Sequence, residues 1–192
     1  MSGNVSFTST IRPVTINQFM ASVRGNHKLV DYPWTIKESV LAKDTYTTNV
    51  MDCTVCGITD GQQVLMLHIC PTNKENNDFS KIANFIKNKI DLRNPDLQAV
   101  VIGGKPPYTH GEASYSLFDK FINFLNEYKI PFSKLKGGMG EKHVAYSSKS
   151  DEWLIASKNV QPPKPYQIAS PTNELKKLFN EVEISNLDDV RW

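Results

Sequence analysis

The three cysteines of this chain, Cys53, Cys56 and Cys70, lie between positions 53 and 70 together with one of its four histidines, His68. Thiols and an imidazole gathered in so short a stretch have three uses. They pack a core, since a cysteine thiol behaves as a small apolar side chain and is among the most buried residue types. Taken singly, Cys56 and Cys70 read this way. They also hold zinc: Cys53-Thr54-Val55-Cys56 followed by His68-Ile69-Cys70 offers four ligand types that suit that ion. Against this, Cys53 and Cys56 are an odd number of residues apart, so on a regular strand they face opposite sides of a sheet. A zinc knuckle needs a tight turn between them, and Thr54-Val55 is a strand pair.

The third use is nucleophilic catalysis. Val50 to Ile58 and Gln63 to Ile69 are β-rich runs separated by Thr59-Asp60-Gly61, and Asp-Gly between apolar runs signals a hairpin. Folding the chain about the Asp60-Gly61 bond sets Cys53 opposite His68. Directly opposed residues on antiparallel strands share a face, with Cβ atoms ~4.5–5.5 Å apart. A thiol and an imidazole so placed form an activated pair: the base takes the proton and the thiolate attacks a carbonyl.

Around this hairpin the sequence places further elements. Asp78 is a suitable N-cap for a helix carrying Phe79, Ile82, Ala83, Ile86 and Ile90 at helical spacing. Leu97 to Ile102 is a short apolar run ended by Gly103-Gly104 and reads as a buried strand. A second helix carries Leu117, Phe118, Phe121, Ile122, Leu125 and Tyr128 on one face. Strands follow from Pro131 to about Lys136, from His143 to Ser147 and from Trp153 to Ser157. The order β-β-α-β-α-β-β-β predicts an α+β sandwich of mainly antiparallel strands with two main helices. Residues 1–42 show no clear period and are read as an N-terminal extension. Residues 43–160 form the principal domain. Residues 161–192 combine a stiff linker, Gln161-Pro162-Pro163-Lys164-Pro165, with a terminal helix over Glu174 to Val182.

The bulk properties exclude several classes. A net charge of +2 gives no electrostatic reason to expect a nucleic-acid partner. No apolar run approaches the ~18 residues of a membrane span, and Met1 to Thr10 lacks the cationic and apolar regions of a signal peptide. Three cysteines is an odd count, so thiols in a reducing compartment are expected rather than a disulfide framework. Neither Gly103-Gly104 nor Gly137-Gly138-Met139-Gly140 is followed by Lys-Ser/Thr, and both read as tight turns, not phosphate loops. His110 and His143 read as surface or packing residues.

The run from Thr47 through Asp52-Cys53-Thr54-Val55-Cys56-Gly57 to Asp60 resembles the start of the chemoreceptor glutamine deamidases (CheD), where a threonine precedes the catalytic cysteine by six positions. His68 with nearby Pro71 is similar to that family's histidine at the end of the next strand. Ala99-Val100-Val101-Ile102-Gly103-Gly104 is similar to its glycine-ended strand. Lys129-Ile130-Pro131, then Gly137-Gly138-Met139-Gly140-Glu141-Lys142-His143-Val144, is similar to its late strand, double-glycine turn and following strand. The likeness covers roughly residues 45–156 and extends to the catalytic domains of cytotoxic necrotizing factors.

What the resemblance implies is a CheD-like sandwich and a thiol-dependent protein glutamine deamidase. Cys53 is its nucleophile, His68 its base, and Thr47 orients the imidazole through its hydroxyl or carbonyl; Thr47 also reads simply as a strand residue with an exposed hydroxyl. No cofactor or metal is implied. The partner is a protein presenting a reactive glutamine, and the setting is the cytoplasm or a host cell entered through a secretion system that needs no signal peptide. One position departs from the family: Asp52 stands where its members carry glycine or serine, and an anion beside a thiol raises its pKa unless it is turned away. The alternatives are a non-catalytic binding or scaffold protein on the same fold, for which Asp52 speaks, and a zinc module of Cys53, Cys56, His68 and Cys70.

Overall fold

The computed structural model describes residues 7–30, 36, 39–71, 78–103, 111–136, 141–157 and 183–185, the side chains of 111–115, 136, 157 and 183–185 excepted. In chain order its elements are β1 (Thr10–Pro13), α1 (Ile16–Val23), β2 (Lys28–Leu29), β3 (Val40–Ala42), β4 (Asp44–Val50), β5 (Thr54–Thr59) and β6 (Val64–Ile69). There follow α2 (Phe79–Lys89), β7 (Gln98–Gly103), α3 (Gly111–Glu127), β8 (Phe132–Lys136), β9 (Lys142–Ser147), β10 (Glu152–Ser157) and β11 (Glu183–Ser185).

Every residue of β5, β6 and β7 is buried, which is why these strands read as continuous apolar runs instead of alternating ones: both faces of their sheet are covered. The alternation survives in where the side chains go. Val55, Val64, Met66, Val100 and Ile102 enter one apolar cluster, while Cys56, Ile58, Leu65, Leu67, Ile69, Ala99 and Val101 enter another. The second cluster is completed by Ile82 and Ile86 of α2 and by Leu117, Phe118, Phe121 and Leu125 of α3, so the two helices cover the outer face. The first is completed by Val50, Val144, Tyr146, Trp153 and Ile155, from the inner face of a second sheet. The outer face of that second sheet packs Ala145, Leu154 and Ala156 against Phe19 and Val23 of α1.

The molecule is therefore an α+β sandwich of two sheets, ordered β1-β10-β9-β4-β2 and β11-β8-β7-β5-β6-β3. Both are mixed. Antiparallel pairing dominates, and parallel ladders join β1 to β10, β2 to β4 and β7 to β8. From β5 to β10 the elements follow the order expected from sequence, and Asp78 caps α2 by accepting from the Ser80 amide at 3.1 Å.

Three features differ from the sequence expectation. Val50 to Ile58 is not one strand: the chain leaves the five-stranded sheet at Val50, bends through residues 51–53 and joins the six-stranded sheet at Thr54. The break follows a bulge between Thr47 and Val50, where Asn49 takes φ 60°, a left-handed conformation that asparagine tolerates. The bulge shifts the alternation by one residue, so Thr45, Thr47 and Val50 are all buried. Second, the hairpin turns one residue later than expected. Asp60 accepts from the amides of Gln62 and Gln63 at 2.9 Å each, and Thr59 Oγ1 accepts from the Gly61 amide at 3.0 Å while donating to the Gln63 carbonyl at 2.7 Å. Gly61, at φ 83°, and Gln62 are thus the loop, and Val55, not Cys53, stands opposite His68.

Third, the residues read as an N-terminal extension supply strands to both sheets, and Phe7, Ile11 and Val30 lie in the inter-sheet core. Helix α1 starts with a capping box in which Thr15 and Gln18 satisfy each other's amides. Ser9 and Tyr146 both donate to Asp151, at 2.7 and 2.9 Å, and Gln98 accepts from the amides of Thr8 and Ser9. This partly buried network ties the N-terminal segment across both sheets. The Pro-rich linker, the helix expected over 174–182 and His110 lie outside the described residues; β11 pairs antiparallel with β8.

A close sheet-to-sheet contact sits at Gly57, where a Cβ would land on the Trp153 indole. Gly57→Ala should therefore destabilise the protein by about 1–3 kcal/mol through overpacking, read as a lower urea midpoint at unchanged m-value. Wild-type stability in this variant would contradict the packing.

Candidate functional site

His68 is fully buried near the end of β6, with its side chain on the inter-sheet face. An imidazole there needs hydrogen-bonding partners, because an unsatisfied buried polar group costs on the order of 1–3 kcal/mol. Thr47 supplies one from the facing sheet: its Oγ1 is 2.7 Å from His68 Nδ1. The same oxygen is 2.8 Å from the Val30 carbonyl, to which it donates. A hydroxyl has one proton. With that proton given to Val30, Thr47 can only accept from the ring, so Nδ1 carries the hydrogen of the neutral imidazole and Nε2 carries the lone pair. That is the tautomer a base working through Nε2 requires.

Cys53 occupies the last position of the crossing from β4 to β5 and is 3% exposed. It belongs to the inter-sheet cluster with Cys70 and Val55, on the side of the sheet that also carries His68. The expected direct opposition of Cys53 and His68 is replaced by a diagonal relation, because the register is shifted by two residues. A shift of two preserves the face, whereas a shift of one would have reversed it. Diagonal neighbours on a sheet are ~7–8 Å apart at Cα, within reach of long side chains. All three residues proposed from sequence, Cys53, His68 and Thr47, thus lie between the sheets, at the end of the sandwich where β5 begins and β6, β7 and β8 finish.

Gly103 fixes the backbone of the cysteine. It pairs with Thr54 at φ 135°, and a Cβ there would strike the Cys53 carbonyl oxygen and come to 3.0 Å from Thr54 Cα. The glycine read from sequence as a turn is the close approach of β7 to the crossing.

Sequence reasoning did not single out Lys142. It opens β9 opposite Val50, is 1% exposed, and continues the row of Val144 and Tyr146 that faces the six-stranded sheet. Burial lowers its pKa to about 8, and the charge of Asp52 opposes that shift. The carboxylate next to Cys53 therefore has a cation close by. Lys142-His143-Val144-Ala145-Tyr146 shows no polar–apolar alternation, so only the strand's pairing reveals that lysine falls at an inward position.

The remaining candidates separate from this centre. Cys56 lies on the opposite face, among the helix-side residues, and burial there pushes its thiol pKa up. The four residues of the zinc reading consequently do not face one point. His143 points away from the inter-sheet core, with its ring 5.6 Å from that of Phe19 and Nε2 3.4 Å from Glu141 Oε1. An open depression at the end of α2, lined by Lys87, Lys89, Asp91 and Arg93 among others, is formed by elements other than those carrying Cys53 and His68. No protein-family model matches the chain, and no curated protein matches it.

The hydrogen-bond chain from Val30 to Thr47 to His68 has a spectroscopic consequence. Nitrogen-15 NMR should show neutral His68 protonated at Nδ1, and Thr47→Val should raise the proportion of the Nε2–H form. A dominant Nε2–H tautomer in the wild-type protein would contradict the assignment.

Proposed function

We propose that the chain is a thiol-dependent protein glutamine deamidase of the CheD-like kind. The observation that carries this reading is the Thr47 hydroxyl, 2.7 Å from His68 Nδ1 and 2.8 Å from the Val30 carbonyl, which leaves Nε2 as the basic nitrogen. The shared inner face of Cys53 and His68, the order of the strands and the resemblance in motif support it further.

In this mechanism His68 takes the thiol proton and the Cys53 sulfur attacks the carboxamide carbon of a glutamine side chain. The negative charge that develops on the amide oxygen is met by backbone N–H groups near Cys53. The imidazolium returns its proton to the departing nitrogen, the carbon–nitrogen bond breaks, and ammonia leaves a thioester on Cys53. Water, deprotonated by His68, attacks the thioester, the carbon–sulfur bond breaks, and glutamate and the free thiol are regenerated. Thr47 accepts from Nδ1–H throughout, which fixes the ring's orientation and, whenever the ring is neutral, its tautomer. Asp52 is the departure from the family. The substrate class is a protein with an exposed, reactive glutamine; a bacterial effector acting inside a host cell is the setting that the resemblance suggests. Among the described residues no helix is long and apolar enough to cross a membrane.

Incubation with extracts of candidate target cells should convert one or a few glutamines of a protein to glutamate, read by peptide mass spectrometry with ammonia release as an independent check. Cys53→Ala and His68→Ala should each abolish conversion while leaving the fold intact, and the double variant should be scarcely worse than either, because the pair acts as one unit. Thr47→Val should lower the rate by on the order of 10- to 100-fold, the scale of losing orientation while keeping the reacting groups. Full conversion by Cys53→Ala would reject the mechanism. Absence of conversion by a folded wild-type protein would favour the scaffold reading.

A further inference from the structure

Asp52 and Lys142 stand at the cysteine end of the sandwich, and the chemistry proposed above uses neither. Lys142 is held between β4 and β10, opposite Val50 on one side and Ser157 on the other, with its side chain on the inter-sheet face. Lysine is almost never fully buried unless it is paired, and Asp52 stands two residues beyond Val50, the residue opposite Lys142, with its charge acting on the ammonium. Asp52 is itself half-buried and directly precedes Cys53 in the bend that carries the chain from one sheet to the other. A lone carboxylate at that position would suppress ionisation of the neighbouring thiol.

We propose that Asp52 and Lys142 form a charge pair that anchors the 51–53 crossing to β9 and cancels the field of the carboxylate at Cys53, making Lys142 a positioning residue for the nucleophile. The pair lies where the chain leaves the five-stranded sheet for the six-stranded one. Burial brings the ammonium to about 8, so it is largely charged at neutral pH and the compensation is present there. This inference rests on the deamidase reading only in requiring that Cys53 be a reactive thiol.

The test is the rate of iodoacetamide labelling of Cys53 at neutral pH, resolved from Cys56 and Cys70 by peptide mapping. It needs no substrate. Lys142→Met should slow labelling by on the order of tenfold, because removing a nearby cation raises a thiol pKa by about one unit or more. Asp52→Asn should speed it several-fold. The double variant, which removes both charges, should return to within about threefold of wild type, a recovery that a merely structural role for the lysine would not produce. Labelling of Lys142→Met at the wild-type rate, or of the double variant as slowly as Lys142→Met, would overturn the proposal. Should Lys142→Met fail to fold, the Asp52→Asn arm decides, and an unchanged rate there would overturn it equally. Wild-type Cys53 labelling no faster than Cys56 or Cys70 would reject the deamidase reading and this inference with it. A reactive Cys53 indifferent to both substitutions would reject the inference alone.

Discussion

An imidazole held in an apolar inter-sheet core has to be hydrogen-bonded, and one partner of His68 comes from the opposite sheet. Thr47 can meet it only if β4 lies over β6 in one register, with its inward residues in phase with those of β6. Thr45, whose hydroxyl is 3.6 Å from Met66 Sδ, repeats the same contact one step along both strands. The bulge at Asn49 then lets β4 end with Val50 inward and turn into the crossing that delivers Cys53. The polar contact thus constrains how the sheets are stacked, and the stacking brings thiol, imidazole and hydroxyl into one layer. The same contact selects the tautomer, so one interaction serves both the fold and the proposed chemistry.

Around that centre the fold limits what can change. Gly57 lets β5 approach the Trp153 indole, and Gly103 lets β7 press on the Cys53 carbonyl; neither contact admits a Cβ. Charge is placed under the same confinement. A buried ammonium is costly unless answered, and a carboxylate beside a thiol is unfavourable for catalysis unless neutralised. Having both at one end of the sandwich turns two unfavourable features into mutual compensation. Cys56, one face away, has no such surroundings and behaves as a packing thiol.

Much of this was legible in the residues. Strict burial on both faces made β5, β6 and β7 visible as apolar runs, and helical spacing with Asp78 as cap located α2. The parity of Cys53 and His68 was legible too, since any even shift of register leaves them on one face. The exact pairing was not, because it depends on Asp60 capping the turn with its side chain and so flanking the loop instead of lying in it. Nor was the break at 51–53, since Val50 to Ile58 has the composition of one strand and the left-handed Asn49 that precedes the break stands just outside it. The first forty residues hid their role because β1, β2 and β3 are too short for a period to develop; Thr15-Ile16-Asn17-Gln18 was their one readable signature, a capping box. The partners of the site, the Val30 carbonyl and Lys142, come from distant positions that pairing with β4 within one sheet brings near.

The account turns on Cys53 and His68 sharing one proton at neutral pH, and a thiolate titration addresses this without a substrate. Ultraviolet thiolate absorbance of the folded protein, followed against pH, should show one thiolate persisting below neutrality in the wild type and absent in Cys53→Ser. In His68→Asn its appearance should move up toward the ordinary thiol range near ~8.5. A wild-type protein with no thiolate below that range, or a titration that His68→Asn leaves in place, would contradict the pairing.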